Sequence, residues 1–200
     1  VVSEIEFAAQ FTDANIIGVT GSNGKTTTTM MTHHILQQAQ LNVEMGGNIG
    51  ESFAGLIYKS PNYFVLELSS FQLDGIIKFR PNIAVLTNIT PDHLDRYDNK
   101  FENYIASKFR IVMNQTKTDF LIYDADDEVI NAYLQTHKIQ STLMPFSLTK
   151  TLAQGAFLRH KEIIIKYKKE EQIMPTTNLA LEGKHNIKNA MAAATVAHLL

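Results

Sequence analysis

Residues 21–27, Gly-Ser-Asn-Gly-Lys-Thr-Thr, have the residue types of a phosphate-binding loop. The two glycines allow a tight turn whose backbone N–H groups approach phosphate oxygens, while Lys25 can reach the β- and γ-phosphates and Thr26 can bind Mg²⁺. A following helix adds the positive end of its dipole. The strict pattern has glycine where this chain has Val19, so the loop is a variant. This segment, called the phosphate loop below, predicts an ATP or GTP site formed by Gly21, Ser22, Asn23, Gly24, Lys25, Thr26 and Thr27.

Glu67 is the next candidate because it places a carboxylate at the carboxyl end of an apolar, β-rich run, residues 63–68. In a parallel sheet this position lies near the phosphate loop, so Glu67 is expected to bind the same Mg²⁺ as Thr26. A buried carboxylate needs a partner, which a metal ion would supply. The alternative is that Glu67 only ends the strand.

His93 and Lys108 are weaker candidates when only residue type is considered. His93 lies in the polar segment 88–97, after another predicted strand, where an imidazole can bind a metal ion or donate to phosphate. A single loop histidine is more often only solvated. Lys108 falls in the predicted helix 101–114, where a lysine ordinarily extends to the surface.

Three asparagines also have two interpretations each. Asn48 lies in the glycine-rich loop 46–50, where it either favours the turn conformation or serves a ligand. Asn186 and Asn189 share a face at the start of the last predicted helix. Asn186 is either a helix cap or, with Asn189, presents a carboxamide to a nucleobase, and the spacing does not choose between these.

Short apolar runs alternate with helical segments, which predicts an α/β fold with a mostly parallel sheet flanked by helices. In such sheets ligands bind beyond the carboxyl ends of the strands, where the polar segments above fall. The stretch 142–174 is β-rich and predicts a small antiparallel extension. The predicted strands are residues 16–20, 41–45, 63–68, 83–86, 120–123, 142–146, 156–158 and 163–167. The predicted helices are residues 25–38, 52–58, 101–114, 127–136 and 186–200.

Two local predictions concern individual helices. Met30, Met31, Ile35 and Leu36 are expected to form the buried face of the helix 25–38. Asp126 is expected to cap the helix 127–136.

The composition restricts the class of protein. With 200 residues, 44% apolar and 19% charged, the chain is typical of one folded domain. A net charge of −2 gives no basic field for nucleic acid, and the absence of cysteine excludes disulfides and thiolate chemistry. No apolar run approaches the ~20 residues of a membrane span. We therefore expect a cytoplasmic protein that binds neither nucleic acid nor membrane.

Five segments, in this order, resemble those of the Mur ligases, ATP-dependent enzymes that form amide bonds in peptidoglycan precursor synthesis. They are residues 20–27, 46–50, 67–73, 92–97 and 185–189. The resemblance extends over residues 3–200. The segments 46–50 and 67–73 are most similar to those of the member that adds D-glutamate to UDP-N-acetylmuramoyl-L-alanine. Glu51-Ser52 departs from the family, in which an apolar residue and a proline are frequent here.

The resemblance implies a role for each candidate. Lys25 and the loop amides would bind the phosphates of ATP, and Thr26 and Glu67 would hold one Mg²⁺. His93 and a carbamylated Lys108 would hold a second Mg²⁺. Asn48 and Ser69 would bind the nucleotide-sugar substrate. Asn186 and Asn189 would bind adenine.

The resemblance also implies that residues 1–200 form the central ATP-binding domain of a three-domain enzyme. The amino-terminal UDP-binding domain and the carboxyl-terminal amino-acid-binding domain would lie outside this chain. We expect a monomeric bacterial enzyme whose central domain alone is inactive. The alternatives are a folylpolyglutamate-type ligase domain, or a nucleotide-binding module without ligase activity, which would not need His93 and Lys108 at this spacing.

Overall fold

A nine-stranded sheet organises the fold of this computed structural model, which describes residues 2–179 and 182–200. The strands are β1 (Asn15–Thr20), β2 (Val43–Gly47), β3 (Tyr63–Glu67), β4 (Ile83–Leu86), β5 (Phe120–Asp124), β6 (Thr142–Ser147), β7 (Gly155–Arg159), β8 (Glu162–Tyr167) and β9 (Glu170–Pro175). The α-helices are α1 (Glu4–Ala8), α2 (Lys25–Gln38), α3 (Phe53–Leu56), α4 (Ser70–Asp74), α5 (Phe101–Phe109), α6 (Glu128–Thr136) and α7 (Lys184–Leu199). No helix in these two parts of the chain combines the length and apolar character needed to cross a membrane.

The strand order is β2-β3-β1-β4-β5-β6-β7-β8-β9, and every neighbouring pair up to β6–β7 is parallel. Only β7–β8 and β8–β9 are antiparallel. This confirms the predicted α/β class with a small antiparallel extension. The prediction that residues 142–146 begin that extension is wrong. They form β6, which is parallel to β5 because α6 connects the two strands and returns the chain in the same direction.

The central strands β1, β3 and β4 are mostly apolar and buried because helices cover both faces of the sheet there, whereas the edge strand β9 is mostly exposed. Along β1, Ile16 faces the layer that contains α1, α3, α5 and α6, while Ile17 faces the layer of α2 and α7. This alternation follows from the two-residue period of a strand. The strands that carry the site are therefore held in place by a helix layer on each face of the sheet.

Two helix details differ from the sequence predictions. Thr28, Thr29, Thr32 and Leu36 are the buried residues of α2, whereas Met30 is 53% exposed. The helix α2 packs against α7 and against the sheet, and small threonines suit such close packing. The cap of α6 is Asp127, whose carboxylate accepts from the Ile130 amide at 3.0 Å, and not Asp126.

The candidate site residues are brought together by strand register. Val19 of β1 pairs with Glu67 of β3, and Thr20 pairs with Leu86 of β4. Leu86 in turn pairs with Tyr123 of β5. The phosphate loop, Glu67 and the segments that follow β4 and β5 therefore emerge at one edge of the sheet, as the parallel topology predicts.

Candidate functional site

The phosphate loop makes a tight turn between β1 and α2. Gly21 has φ +146°, and a side chain there would collide with the Thr87 hydroxyl. Gly24 has φ +80°, a left-handed conformation that glycine adopts without strain. No side chain caps α2, so its first N–H groups, on Lys25, Thr26 and Thr27, point out of the helix end without a side-chain acceptor. Such a helix end favours a phosphate.

The segment after β4 holds the phosphate loop in place. Asn88 accepts from the Asn23 amide and donates to the Asn23 carbonyl, both at 2.9 Å. Thr87 also donates to the Asn23 carbonyl, at 2.6 Å. Ser22 donates to the Thr90 carbonyl at 2.8 Å and accepts from the Thr90 amide at 2.9 Å. The loop is therefore positioned before any ligand binds, which lowers the conformational cost of binding.

Lys25 places its ammonium at the mouth of this loop. Its Nζ donates to the carbonyl oxygens of Gly21 at 3.0 Å and Ser22 at 2.9 Å. Both acceptors are neutral, and among residues 2–179 and 182–200 no carboxylate forms an ion pair with Lys25. A bound polyphosphate would supply that partner.

Glu67 joins two other predicted residues at the end of β3. Its carboxylate, in a residue only 3% exposed, accepts from the Thr26 hydroxyl at 2.7 Å and from the Asn48 amide at 2.9 Å. A hydroxyl and a carboxylate are hard oxygen ligands of the kind Mg²⁺ prefers. The donor set of Thr26 and Glu67 therefore fits Mg²⁺ at the phosphate loop.

Lys108 is buried, 2% exposed, instead of extending to the surface as its place in a helix suggested. Its ammonium donates to the Gly21 carbonyl at 2.9 Å and to the Thr20 hydroxyl at 3.3 Å. Burial, together with the nearby positive charge of Lys25, lowers the pKa of Lys108 to about 7. Part of the Lys108 population is therefore a neutral amine near neutral pH.

Tyr104 is a site residue that the sequence analysis missed. Its hydroxyl shares a hydrogen bond with Ser22 Oγ at 3.1 Å, and its ring lies 5.3 Å from the Lys108 ammonium. It precedes Lys108 by one helical turn on the same face of α5, which is the available signal. Tyr104 therefore links α5 to the phosphate loop.

His93 and Ser69 lie near this edge without joining the contacts above. The His93 side chain is 55% exposed and lies 3.6 Å from Asp92 Oδ2, with its ring 5.4 Å from that of Phe71. Ser69 caps α4 through reciprocal hydrogen bonds with Gln72. Within the described residues no hydrogen bond joins His93 to Lys108, and the second metal pair stays a prediction.

The start of α7 closes the opposite side of the phosphate loop. Asn186 donates to the Glu182 carbonyl at 2.8 Å, and Gly183 precedes the helix, so Asn186 is not its cap. Asn189 is 8% exposed, and its Oδ1 lies 2.6 Å from where a Cβ on Gly24 would stand. Together with Asn88 and other polar residues, Asn189 lines a cleft of about 550 Å³, a size suited to a small ligand.

The comparisons with known proteins agree with this geometry. Residues 19–197 match the Mur ligase middle domain family. The chain belongs to this family. Over its whole length, the chain is 56% identical to a UDP-N-acetylmuramoylalanine--D-glutamate ligase of Christiangramia forsetii. It is 49% identical, again over the whole chain, to a protein of the same name from Bacteroides fragilis. The chain spans 45% of the length of each of these relatives.

Solved structures support the fold of the Mur ligase middle domain. A UDP-N-acetylmuramoyl-L-alanyl-D-glutamate--2,6-diaminopimelate ligase superposes with a TM-score of 0.71 at 20% identity, over 94% of this chain and 44% of the other. A MurF ligase from Thermotoga maritima, in complex with ADP, gives a TM-score of 0.65 at 16% identity over 98% of this chain and 47% of the other. These structures confirm the predicted fold, and the match of residues 19–197 to the family confirms the resemblance inferred from the sequence.

Proposed function

We propose that this chain is the ATP-binding central domain of a longer ligase that joins D-glutamate to UDP-N-acetylmuramoyl-L-alanine in peptidoglycan precursor synthesis. The observation that carries the proposal is the assembled phosphate loop, with Thr26 bonded to the buried Glu67, in a chain 56% identical to a ligase of that name. The domains that bind the uridine nucleotide and D-glutamate would lie before and after this one in the longer protein.

The proposed reaction has two steps. The carboxylate of the alanyl group attacks the γ-phosphorus of ATP, which forms an acyl phosphate and releases ADP. The amine of D-glutamate then attacks the acyl carbon, the phosphate leaves, and the amine gives up a proton as the amide forms. The protein contributes alignment and charge stabilisation, which is the usual source of rate enhancement in phosphoryl transfer.

Lys25 and the first N–H groups of α2 would hold the β- and γ-phosphates. Thr26 and Glu67 would hold one Mg²⁺, which supplies positive charge to the transferring phosphoryl group when bound. Asn48 and Ser69 would face the nucleotide-sugar substrate. Asn48 already donates to Glu67. Asn186 and Asn189 would contact adenine, as the family resemblance implies, and the position of Asn189 in the cleft beside the phosphate loop supports this.

Lys108 would act as a carbamate and, with His93, hold a second Mg²⁺. The neutral amine adds to the carbon of CO₂ and loses a proton, which converts a cationic side chain into an anionic oxygen ligand. Two observations support this: Lys108 is buried beside the phosphate loop, and its pKa is lowered to about 7, so neutral amine is present to react.

The test is ADP release by the full-length gene product supplied with ATP, Mg²⁺ and UDP-N-acetylmuramoyl-L-alanine. Turnover that requires D-glutamate, and that other amino acids do not replace, would support the proposal. Turnover with L-glutamate on a folate substrate would identify a folylpolyglutamate-type ligase instead. Nucleotide binding with no turnover on any acceptor would leave only a nucleotide-binding module.

A Glu67→Gln change is expected to weaken Mg²⁺ binding at the phosphate loop. Glutamine keeps the size of the side chain and an acceptor for Thr26 or Asn48, but removes the charge that attracts the metal ion. The Mg²⁺ concentration at half-maximal ADP release should rise at least about tenfold, a usual size for the loss of a metal-site group.

Glu44→Gln is the matched control for this change, because Glu44 is bonded to Lys59 at the protein surface. It should leave the Mg²⁺ dependence unchanged. An unaltered Mg²⁺ titration in the Glu67→Gln variant would remove Glu67 from the metal site.

A further inference from the structure

An ion pair connects α7 to the end of β5 beside the proposed nucleotide site. Lys188 donates to Asp124 Oδ2 at 2.6 Å and lies 3.5 Å from Asp126 Oδ2. Asp124 is the last residue of β5 and is 3% exposed. The reaction described above uses none of these three residues, although all of them line the same cleft as Asn189.

The two carboxylates occupy fixed positions. Asp124 accepts from the Asp126 amide at 2.9 Å through its other oxygen. Asp126 accepts from Ser147 Oγ at 2.6 Å and from the Leu148 amide at 2.8 Å, which attaches it to the end of β6. A carboxylate held by several donors presents its remaining oxygen in one direction, so Lys188 meets a rigid partner.

The same corner of the fold also supports the phosphate loop. Asp127 accepts from the Ile89 amide at 2.8 Å. Ile89 follows Asn88, which exchanges two hydrogen bonds with Asn23 of the loop. Residues 124–127 therefore provide one common frame to which both the phosphate loop and α7 are attached.

Lys188 makes the directional contact of α7 with the rest of the fold. Within residues 2–179 and 182–200, the Lys188 side chain makes the only hydrogen bond that connects a side chain of α7 to another helix or strand. The other contacts of α7 are with the apolar core, through residues such as Ala190 and Val196. The buried apolar residues of α7 begin at Ala190 and lie mostly further along the helix. The ion pair adds a directional contact at the first turns of α7.

The ion pair affects the site through Asn189, the next residue along α7. Its carboxamide lines the cleft and lies against Gly24. It makes no hydrogen bond within the described parts of the chain. A small rotation of α7 would move this group away from the phosphate loop. Displacements of about 1 Å are enough to weaken recognition of a ligand that several groups hold together.

We propose that the Lys188–Asp124 pair is a positioning clasp, which fixes the rotation of α7 and so holds the Asn189 carboxamide beside the phosphate loop for the nucleobase of a bound nucleotide. The inference rests on the proposed function, since it concerns the same nucleotide site. A positional role also explains why a charged pair is present here, because a buried ion pair adds little net stability compared with apolar side chains of similar size.

The test is a double-mutant cycle on ADP binding, measured by titration calorimetry with the full-length protein. Lys188→Leu and Asp124→Asn are each expected to weaken ADP binding about tenfold, which is about 1.4 kcal/mol. The double variant should bind ADP no more weakly than the single variant with the lower affinity for ADP, because either change alone already breaks the Lys188–Asp124 ion pair. Lys188→Arg keeps the positive charge and should bind nearly as well as the wild type.

Two readouts separate positioning from a purely structural role. The KM for ATP should rise in parallel with the dissociation constant for ADP, while kcat changes little, since the reacting phosphates are held by Lys25. Lys166→Leu breaks a comparable ion pair, Lys166–Glu171 at 2.8 Å between β8 and β9, and should leave ADP binding unchanged. If Lys188→Leu fails to fold, Asp124→Asn still tests the clasp, because it leaves no buried carboxylate unpaired.

Each contrary result has a distinct meaning. Normal ADP binding by both single variants would overturn the clasp. Weakened binding in Lys188→Leu but not in Asp124→Asn would also overturn it, because Lys188 would then contact the nucleotide directly. A wild-type protein that binds no ADP at all would contradict the proposed function itself.

Discussion

A Lys25→Ala change in the full-length protein is expected to lower ADP release by roughly 10²–10³-fold, the usual cost of removing one group that stabilises transition-state charge. The Lys25 ammonium lies at the mouth of the phosphate loop, and its acceptors in the described part of the chain are two neutral carbonyl oxygens. Its charge is therefore available to the γ-phosphate. The measurement is the rate of ADP release at saturating ATP and Mg²⁺.

The fold should survive this change. The Gly21 carbonyl keeps a hydrogen bond from Lys108, and the loop remains attached to Asn88 and Thr90. The thermal unfolding midpoint is therefore expected to stay within a few degrees of the wild type. Lys117→Ala, at an exposed position, is the control and should leave ADP release unaltered. A Lys25→Ala enzyme with full turnover would mean that the phosphates bind elsewhere.

The parts of the site that follow local sequence rules were predicted well. The helix after the phosphate loop begins at Lys25 and ends at Gln38 in both the prediction and the structure. The proximity of Thr26 and Glu67 was also foreseen, because parallel strands bring their carboxyl ends to one edge. These features depend on residue type and strand direction alone.

The remaining features depend on tertiary packing. Residue type gave no sign that Lys108 is buried, since burial requires α5 to lie beneath the phosphate loop. Hydrophobic periodicity favoured Met30 on the inner face of α2, whereas three threonines and Leu36 are the residues buried there. The pair Lys188–Asp124 joins residues 64 positions apart, and no local pattern connects them.

Lys108 is the residue for which the resemblance and the structure together allow the sharpest test. A Lys108→Ala change removes the side chain next to Gly21 and leaves a buried space beside the phosphate loop. If Lys108 acts as a carbamate, the loss is that of an anionic metal ligand, and turnover should fall roughly 10²–10³-fold. Formate or acetate, supplied in solution, should then restore part of the activity by placing a carboxylate in that space.

The rescue distinguishes an anionic from a cationic role. Recovery with methylammonium, and not with carboxylates, would show that Lys108 acts as a positive charge, which would contradict the carbamate. No recovery with either additive, in a variant whose unfolding midpoint matches the wild type, would count against it as well. Lys25→Ala is the matched control, because the lost group there is a cation and carboxylates should not restore its activity. The carbamate also requires CO₂, so wild-type turnover should fall in CO₂-depleted buffer and return when bicarbonate is added.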